Sequence, residues 1–149
     1  MRQTVYGNVL VNGGADVIWE RVTTPKPSTS STGTITGAYS TVAAIGVGIS
    51  TATATAAQTA LQGTTAATQT AYKVMAATYP THTTGTSTAA RSAVFRSLFS
   101  TAQANFAWNE WGVFNSTRSA KRMLNRKVQA LGTKTSAATR QITVTLTLS

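Results

Sequence analysis

Asp16, Glu20, Glu110 and His82 are the only carboxylates and the only imidazole in the chain, and cysteine is absent. These are the side chains that move protons, attack carbonyls or hold metals near neutral pH. Such schemes need two or more of them close together. Glu110 stands between Asn109 and Trp111 with no second acid, histidine or thiol nearby in the sequence. An ion pair with one of the many arginines is its most economical role. His82 lies in a Thr-rich stretch, where a neutral, exposed imidazole is expected. The composition therefore predicts a protein that is not an enzyme, with no catalytic, metal-binding or cofactor-binding residues and no cofactor. Asn115-Ser116-Thr117 fits the N-glycosylation pattern, but no secretion signal accompanies it.

The charged residues are of a different kind. Lys and Arg number 13 against 3 Asp and Glu, for a net charge of +10 and a pI near 11.0. Such a field favours a polyanionic neighbour, whether acidic protein, nucleic acid or anionic membrane. Arg118, Lys121, Arg122, Arg126 and Lys127 cluster in one stretch, with Arg91 and Arg96 before it and Lys134 and Arg140 after it. Three readings stand: a solvated hairpin, a docking surface for an acidic protein, or a nucleic-acid contact using Trp108, Trp111 and Phe114 as stacking platforms. As a strand, residues 122–127 would carry Arg122 and Arg126 on one face and Lys121 and Lys127 on the other. The candidate interface is thus Arg118, Lys121, Arg122, Arg126 and Lys127, with Trp108 and Trp111.

The elements that must position these groups read as mostly β. The 149 residues suit one domain, 1–149, able to bury a core without disulfides. Only 11% of residues are charged, so Thr and Ser must build much of the surface, and Thr favours strands. Residues 4–11 predict a short strand, 12–14 a turn, and 15–22 a short helix ended by Pro25 and Pro27. Residues 23–41 are rich in Pro, Ser, Thr and Gly and predict either a flexible loop or an arm that orders on a neighbour.

Residues 42–49 predict a buried strand in which Gly46 and Gly48 allow close backbone packing, a better reading than a phosphate loop. Residues 51–62 predict one or two helical turns, 68–79 a strand stopped by Pro80, and 81–88 a polar turn. Residues 91–101 predict a strand with Val94, Phe95, Leu98 and Phe99 buried, although that spacing also suits a helix. In 105–114, Phe106 and Trp108 fall on one face and Trp111 and Val113 on the other, unless a bulge near Glu110 or Gly112 changes the phase. Residues 122–131 form a further segment and 132–138 a turn. In 140–148, Ile142, Val144, Leu146 and Leu148 alternate with Thr143, Thr145 and Thr147, the pattern of a half-buried antiparallel strand. The fold class expected is mainly β: an antiparallel β-sandwich or barrel-like domain with one short N-terminal helix and an extended loop or arm. Its sheet edges would need cover, which oligomerisation can supply.

ANFAWNEWGVFN, followed by MLNRKVQALGTKTSAATRQITVTLTLS, resembles a family of small proteins encoded in tailed-bacteriophage genomes. AAIGVGIS, AAQTALQG and YKVMAATYP are similar to the middle of that family, and NVLVNGGADVI to its start, so the likeness spans most of the chain. The order of elements is also similar to phage tail-collar or fibre-attachment domains, where a Gly-Leu-Phe-Asp step parallels Gly112-Val113-Phe114-Asn115. This chain departs from the family in having Ile49 where an acid is usual, a basic turn at residues 118–121 where Gly is usual, and Arg140 where an aromatic is frequent.

The resemblance implies a virion structural subunit: a homo-oligomer, trimer or ring, docking on phage capsid or tail proteins. A single domain leaves no room for a fibre shaft, which favours a capsid-decorating or cement protein over a tail, neck or fibre-attachment adaptor. A basic nucleic-acid-binding protein is the second alternative. The N-terminus lacks the apolar run of a signal peptide, and residues 42–49 are too short to span a bilayer. The expected location is the virion, after synthesis in the host cytoplasm, with no membrane partner.

Overall fold

In a computed structural model, residues 9–11, 39, 42–63, 69–82 and 92–147 are described. The predicted helix at 15–22 and most of the 23–41 arm lie outside them. The described chain is mainly β, with no helix: β1 (Val9–Leu10), β2 (Ala44–Gly48), β3 (Thr70–Val74), β4 (Thr81–His82), β5 (Ser92–Phe99), β6 (Ala107–Phe114), β7 (Met123–Thr133) and β8 (Arg140–Thr147). All pairings are antiparallel, in a five-stranded sheet ordered β1-β7-β6-β2-β3 and a three-stranded sheet ordered β4-β5-β8. Among the described residues no helix is long and apolar enough to cross a membrane.

The two sheets enclose one apolar core in a sandwich-like arrangement. Ile45 and Val47 of β2, Phe95 and Phe99 of β5, Trp108, Trp111 and Val113 of β6, Leu124 of β7 and Ile142 and Val144 of β8 all bury there. Burial of such side chains contributes about 1.5–3 kcal/mol each. Ser97, buried among them, donates to the Lys73 carbonyl at 3.0 Å and so ties β5 to β3.

Alternation decides most of the burial. With Phe95 and Phe99 inward, the period of two turns Val94 and Leu98 to the opposite face. Val94 is half-buried and Leu98 is 47% exposed, against the expectation that both are core. Ile142 and Val144 bury as β8 predicts, while Leu146 is half-buried. In β6 the phase does change: the register with β7 shifts between Trp108 and Glu110. Both tryptophans therefore reach the same core, and Glu110 faces the other way. A second shift lies between Val113 and Phe114, where the Asn125 side chain accepts from the Val113 N–H at 3.1 Å.

Residues 51–62 are not helical. They form part of a strap, residues 49–63, that crosses the outer face of the five-stranded sheet. Ala has high helix propensity, but here one side chain, with a single Gln58 N to Thr55 carbonyl backbone bond beside it, ties the turn together. Gln58 accepts from Thr55 N and donates to the Thr53 carbonyl, each at 3.0 Å. Leu61 anchors the strap in a second apolar cluster with Val11, Ala44, Phe114 and Met123.

Candidate functional site

The outer face of β2 and β6 is made almost flat by Gly46, Gly48 and Gly112, and side chains lie on it. A Cβ at Gly46 would sit 2.8 Å from both the Phe114 and Tyr72 rings. Those rings meet edge-on with centroids 5.0 Å apart. A Cβ at Gly48 would sit 2.5 Å from Glu110 Oε1. The Gly46-Val47-Gly48 step is therefore a bed for side chains, as the close-packing reading anticipates.

Glu110 lies on this bed, fully buried, and its carboxylate accepts three hydrogen bonds. Oε1 accepts from Gly63 N at 2.7 Å, and Oε2 accepts from Gln62 N at 3.0 Å and from Arg126 Nε at 2.7 Å. Both side chains of the pair are 0% exposed. Arg126 Nη1 then donates to the Ala52 carbonyl and to Gln58 Oε1, each at 2.9 Å. Its Nη2 is buried without a hydrogen-bond partner among the described residues. The pair thus bolts the strap to the sheet. Such a pair costs much to desolvate, and removing one partner costs more. As an acid–base group Glu110 would need a path to solvent, and its full burial beneath the strap withholds one.

The expected interface set divides. Trp108 and Trp111 are 1% and 5% exposed and belong to the core, so neither offers a face for docking or base stacking. Trp108 Nε1 donates to the Ala104 carbonyl at 3.0 Å, and its ring packs on Phe99 and under the Arg140 guanidinium. Arg126 is also removed from the surface, by its pairing with Glu110. It does not share an exposed face with Arg122, because β7 begins only at Met123 and the irregularity near Leu124 resets the alternation. Lys127 is half-buried opposite Trp111.

Arg118, Lys121 and Arg122 remain together on the β6–β7 turn, residues 115–122. That turn is built firmly. Asn115 Oδ1 accepts from Arg122 N at 2.7 Å, and Asn115 N donates to the Arg122 carbonyl at 3.0 Å. Ser116 Oγ accepts from Arg118 N, and the Arg118 carbonyl accepts from Lys121 N. Tyr39 donates its hydroxyl to the Arg122 carbonyl at 3.3 Å. Burial pushes the Tyr39 phenol up to about 12, an effect the nearby Arg122 charge partly offsets. Lys121 Nζ sits 4.2 Å above the Tyr72 ring, whose phenol is also raised, by burial and then by the Glu110 charge.

The sequence reading missed the role of Lys134. It is 3% exposed and has no acid beside it among the described residues; its Nζ donates to Asn105 Oδ1 at 2.7 Å and to the Thr135 carbonyl at 3.2 Å. Nothing in its neighbours marks it as different from the surface lysines. The backbone of His82 falls in β4, opposite Ala93, at the start of the predicted turn.

Two shallow grooves open on the described surface. One lies beside β3, lined by Lys73, Val74, Met75 and Leu98, and the other lies beside the strap, lined by Ile49, Ser50, Gln62 and Gln69. Neither carries a carboxylate or an imidazole. With Glu110 sealed, every charged side chain exposed on the described surface is a cation, since Asp16 and Glu20 lie outside it. Comparison of the chain with protein-family models, with curated proteins and with solved structures finds no match.

Proposed function

We propose that this chain is a non-enzymatic structural subunit of a tailed-phage particle, a multimeric capsid-decorating or cement protein that docks on the virion shell. The observation that carries the reading is the fate of Glu110. The one carboxylate of the described chain is consumed in holding the strap to the sheet, and the charges left exposed on the described surface are all cations. A described surface whose exposed charges are of one sign fits an acidic partner, and the braced turn holding Arg118, Lys121 and Arg122 is the contact point. Individual exposed pairs contribute only about 0–1 kcal/mol, so lasting attachment comes from many copies. The resemblance of the WNEWGVFN and MLNRKV segments to phage-encoded proteins supplies the particle. The tail, neck or fibre-attachment adaptor is the same mechanism on a different scaffold.

The test is co-sedimentation of the purified chain with shells that lack it, in parallel with duplex DNA. Saturable binding to shells, reduced by Lys121→Glu with Arg122→Glu, supports the reading. Binding to DNA alone, with affinity falling roughly a thousand-fold or more between about 50 and 200 mM salt, replaces it with the nucleic-acid reading.

A further inference from the structure

Strand β8 pairs with β5 along its whole length, and no described strand lies on its other side. The direction of its free backbone groups follows from β5. The Arg96 carbonyl accepts from Ala76 N at 2.7 Å, so Arg96 serves the β4 side of β5. In an antiparallel ladder a residue donates and accepts toward the same neighbour, and opposite residues alternate between bonded and non-bonded pairs. Arg96 and its register partner Thr143 are then a non-bonded pair, as are Leu98 and Gln141, Val94 and Thr145, and Ser92 and Thr147. Gln141, Thr143, Thr145 and Thr147 therefore aim their N–H and C=O groups at the open edge.

Open edges are ordinarily blunted by a charge, a proline or a bulge. From Gln141 to Thr147 there is no charged residue, no proline and no register shift. The strand's one charge, Arg140, is folded back. Its guanidinium donates to the Leu131 and Gly132 carbonyls and lies over the Trp108 ring. The other edges are poorer templates, since β1 and β4 have two residues each and β3 carries Lys73. For a chain of net charge +10, two copies repel each other wherever cations face; β8 itself carries none from Gln141 to Thr147, and the neighbouring Arg96 is held back, its Nε donating to Thr143 Oγ1 at 3.3 Å and its guanidinium lying over the Tyr79 ring.

We infer that β8 is a self-association edge: a second copy of this chain pairs with it, antiparallel, about a two-fold axis centred on Val144. In that register Thr143 faces the partner's Thr145 and Gln141 faces the partner's Thr147. All four outward residues of each strand are matched, and the two three-stranded sheets join into one of six strands. Threonine pairs across strands add to the ladder. The inference rests on the self-association in the proposed function and is independent of which part of a particle the protein occupies.

Sedimentation equilibrium of the full chain tests it. Thr145→Pro removes one outward N–H and leaves the bonds to β5 in place, the situation in which an edge strand tolerates proline. Thr143→Lys with Thr145→Lys keeps every N–H and puts charge on the seam. The wild-type chain is expected to be a dimer or an even multimer. Both variants should associate at least about tenfold more weakly, with circular dichroism and melting close to wild type. Because the chain has no cysteine, an oxidised mixture of Thr143→Cys and Thr145→Cys should cross-link preferentially between the two variants. A wild-type monomer at all concentrations overturns both the edge and the self-association. An oligomer whose mass neither the Lys variant nor the Pro variant changes overturns the edge alone. Cross-linking with no preference for the mixed pair overturns the Val144-centred register.

Discussion

Glu110 Oε2 and Arg126 Nε meet at 2.7 Å with both side chains fully buried, one strand apart on the outer face of the larger sheet. Between them they also hold Ala52, Gln58, Gln62 and Gly63. A loop that could have swung free is thereby made part of the sandwich.

Glu110→Gln leaves the Arg126 charge buried without its counter-ion. The expected cost is about 3–5 kcal/mol in urea unfolding. Replacing both, Glu110→Gln with Arg126→Met, should cost clearly less than the sum of the single changes, because the stranded charge goes with its partner. Additive costs would mean that the two residues act separately.

The glycine bed makes an ordered prediction. A Cβ at Gly112 meets the Asn125 carbonyl oxygen at 2.5 Å, a backbone atom that cannot turn aside. At Gly48 it meets the Glu110 carboxylate at the same distance. Gly112→Ala and Gly48→Ala should each lose about 1–3 kcal/mol or more, read as a fall in melting temperature. Gly48→Ala should in addition expose the strap to protease, since it displaces the carboxylate that holds it.

Much of this arrangement is legible from the sequence in kind but not in detail. The alternation of Ile142 and Val144 with threonines specifies β8, and conflicting aromatic phases in 105–114 require the irregularity found beside Glu110. That Glu110 pairs with an arginine follows from scarcity of acids. Which arginine does not follow, because the choice depends on a β6–β7 register set partly by two irregularities. The strap is illegible for another reason: its Ala residues favour helix and its Thr residues favour strand, so local propensities conflict, and its path is dictated by Gln58 and by a carboxylate far along the chain. The surface cations Arg118, Lys121 and Arg122 look identical in sequence to Arg126 and Lys134, and only the tertiary fold separates them.

Alkaline pH gives a directional test. The Tyr39 phenol is raised from 10.0 to about 12 in the folded chain. Below pH 10 it is protonated in both the folded and unfolded states and adds no pH dependence. Between pH 10 and about 12 the unfolded chain releases the proton first, so stability falls as pH rises. Tyr39→Phe should flatten part of this fall in denaturant midpoint. An unchanged slope would show that Tyr39 is not the responsible group.

The braced basic turn should act only in assembly. Lys121→Glu with Arg122→Glu is expected to leave the fold intact by circular dichroism while reducing incorporation into particles. Deleting residues 23–36 should likewise spare the core and impair assembly if that segment is an arm. Unchanged assembly after the deletion makes it a simple connection.

The central claim is that this chain works as a fixed part of a larger shell. Reconstruction of purified particles of the kind with which the chain is proposed to assemble is the direct measurement. The account predicts density for the two-sheet domain at repeated positions on the particle, with the 115–122 turn against an acidic surface. Particles that are complete and contain no copies of the chain would contradict it.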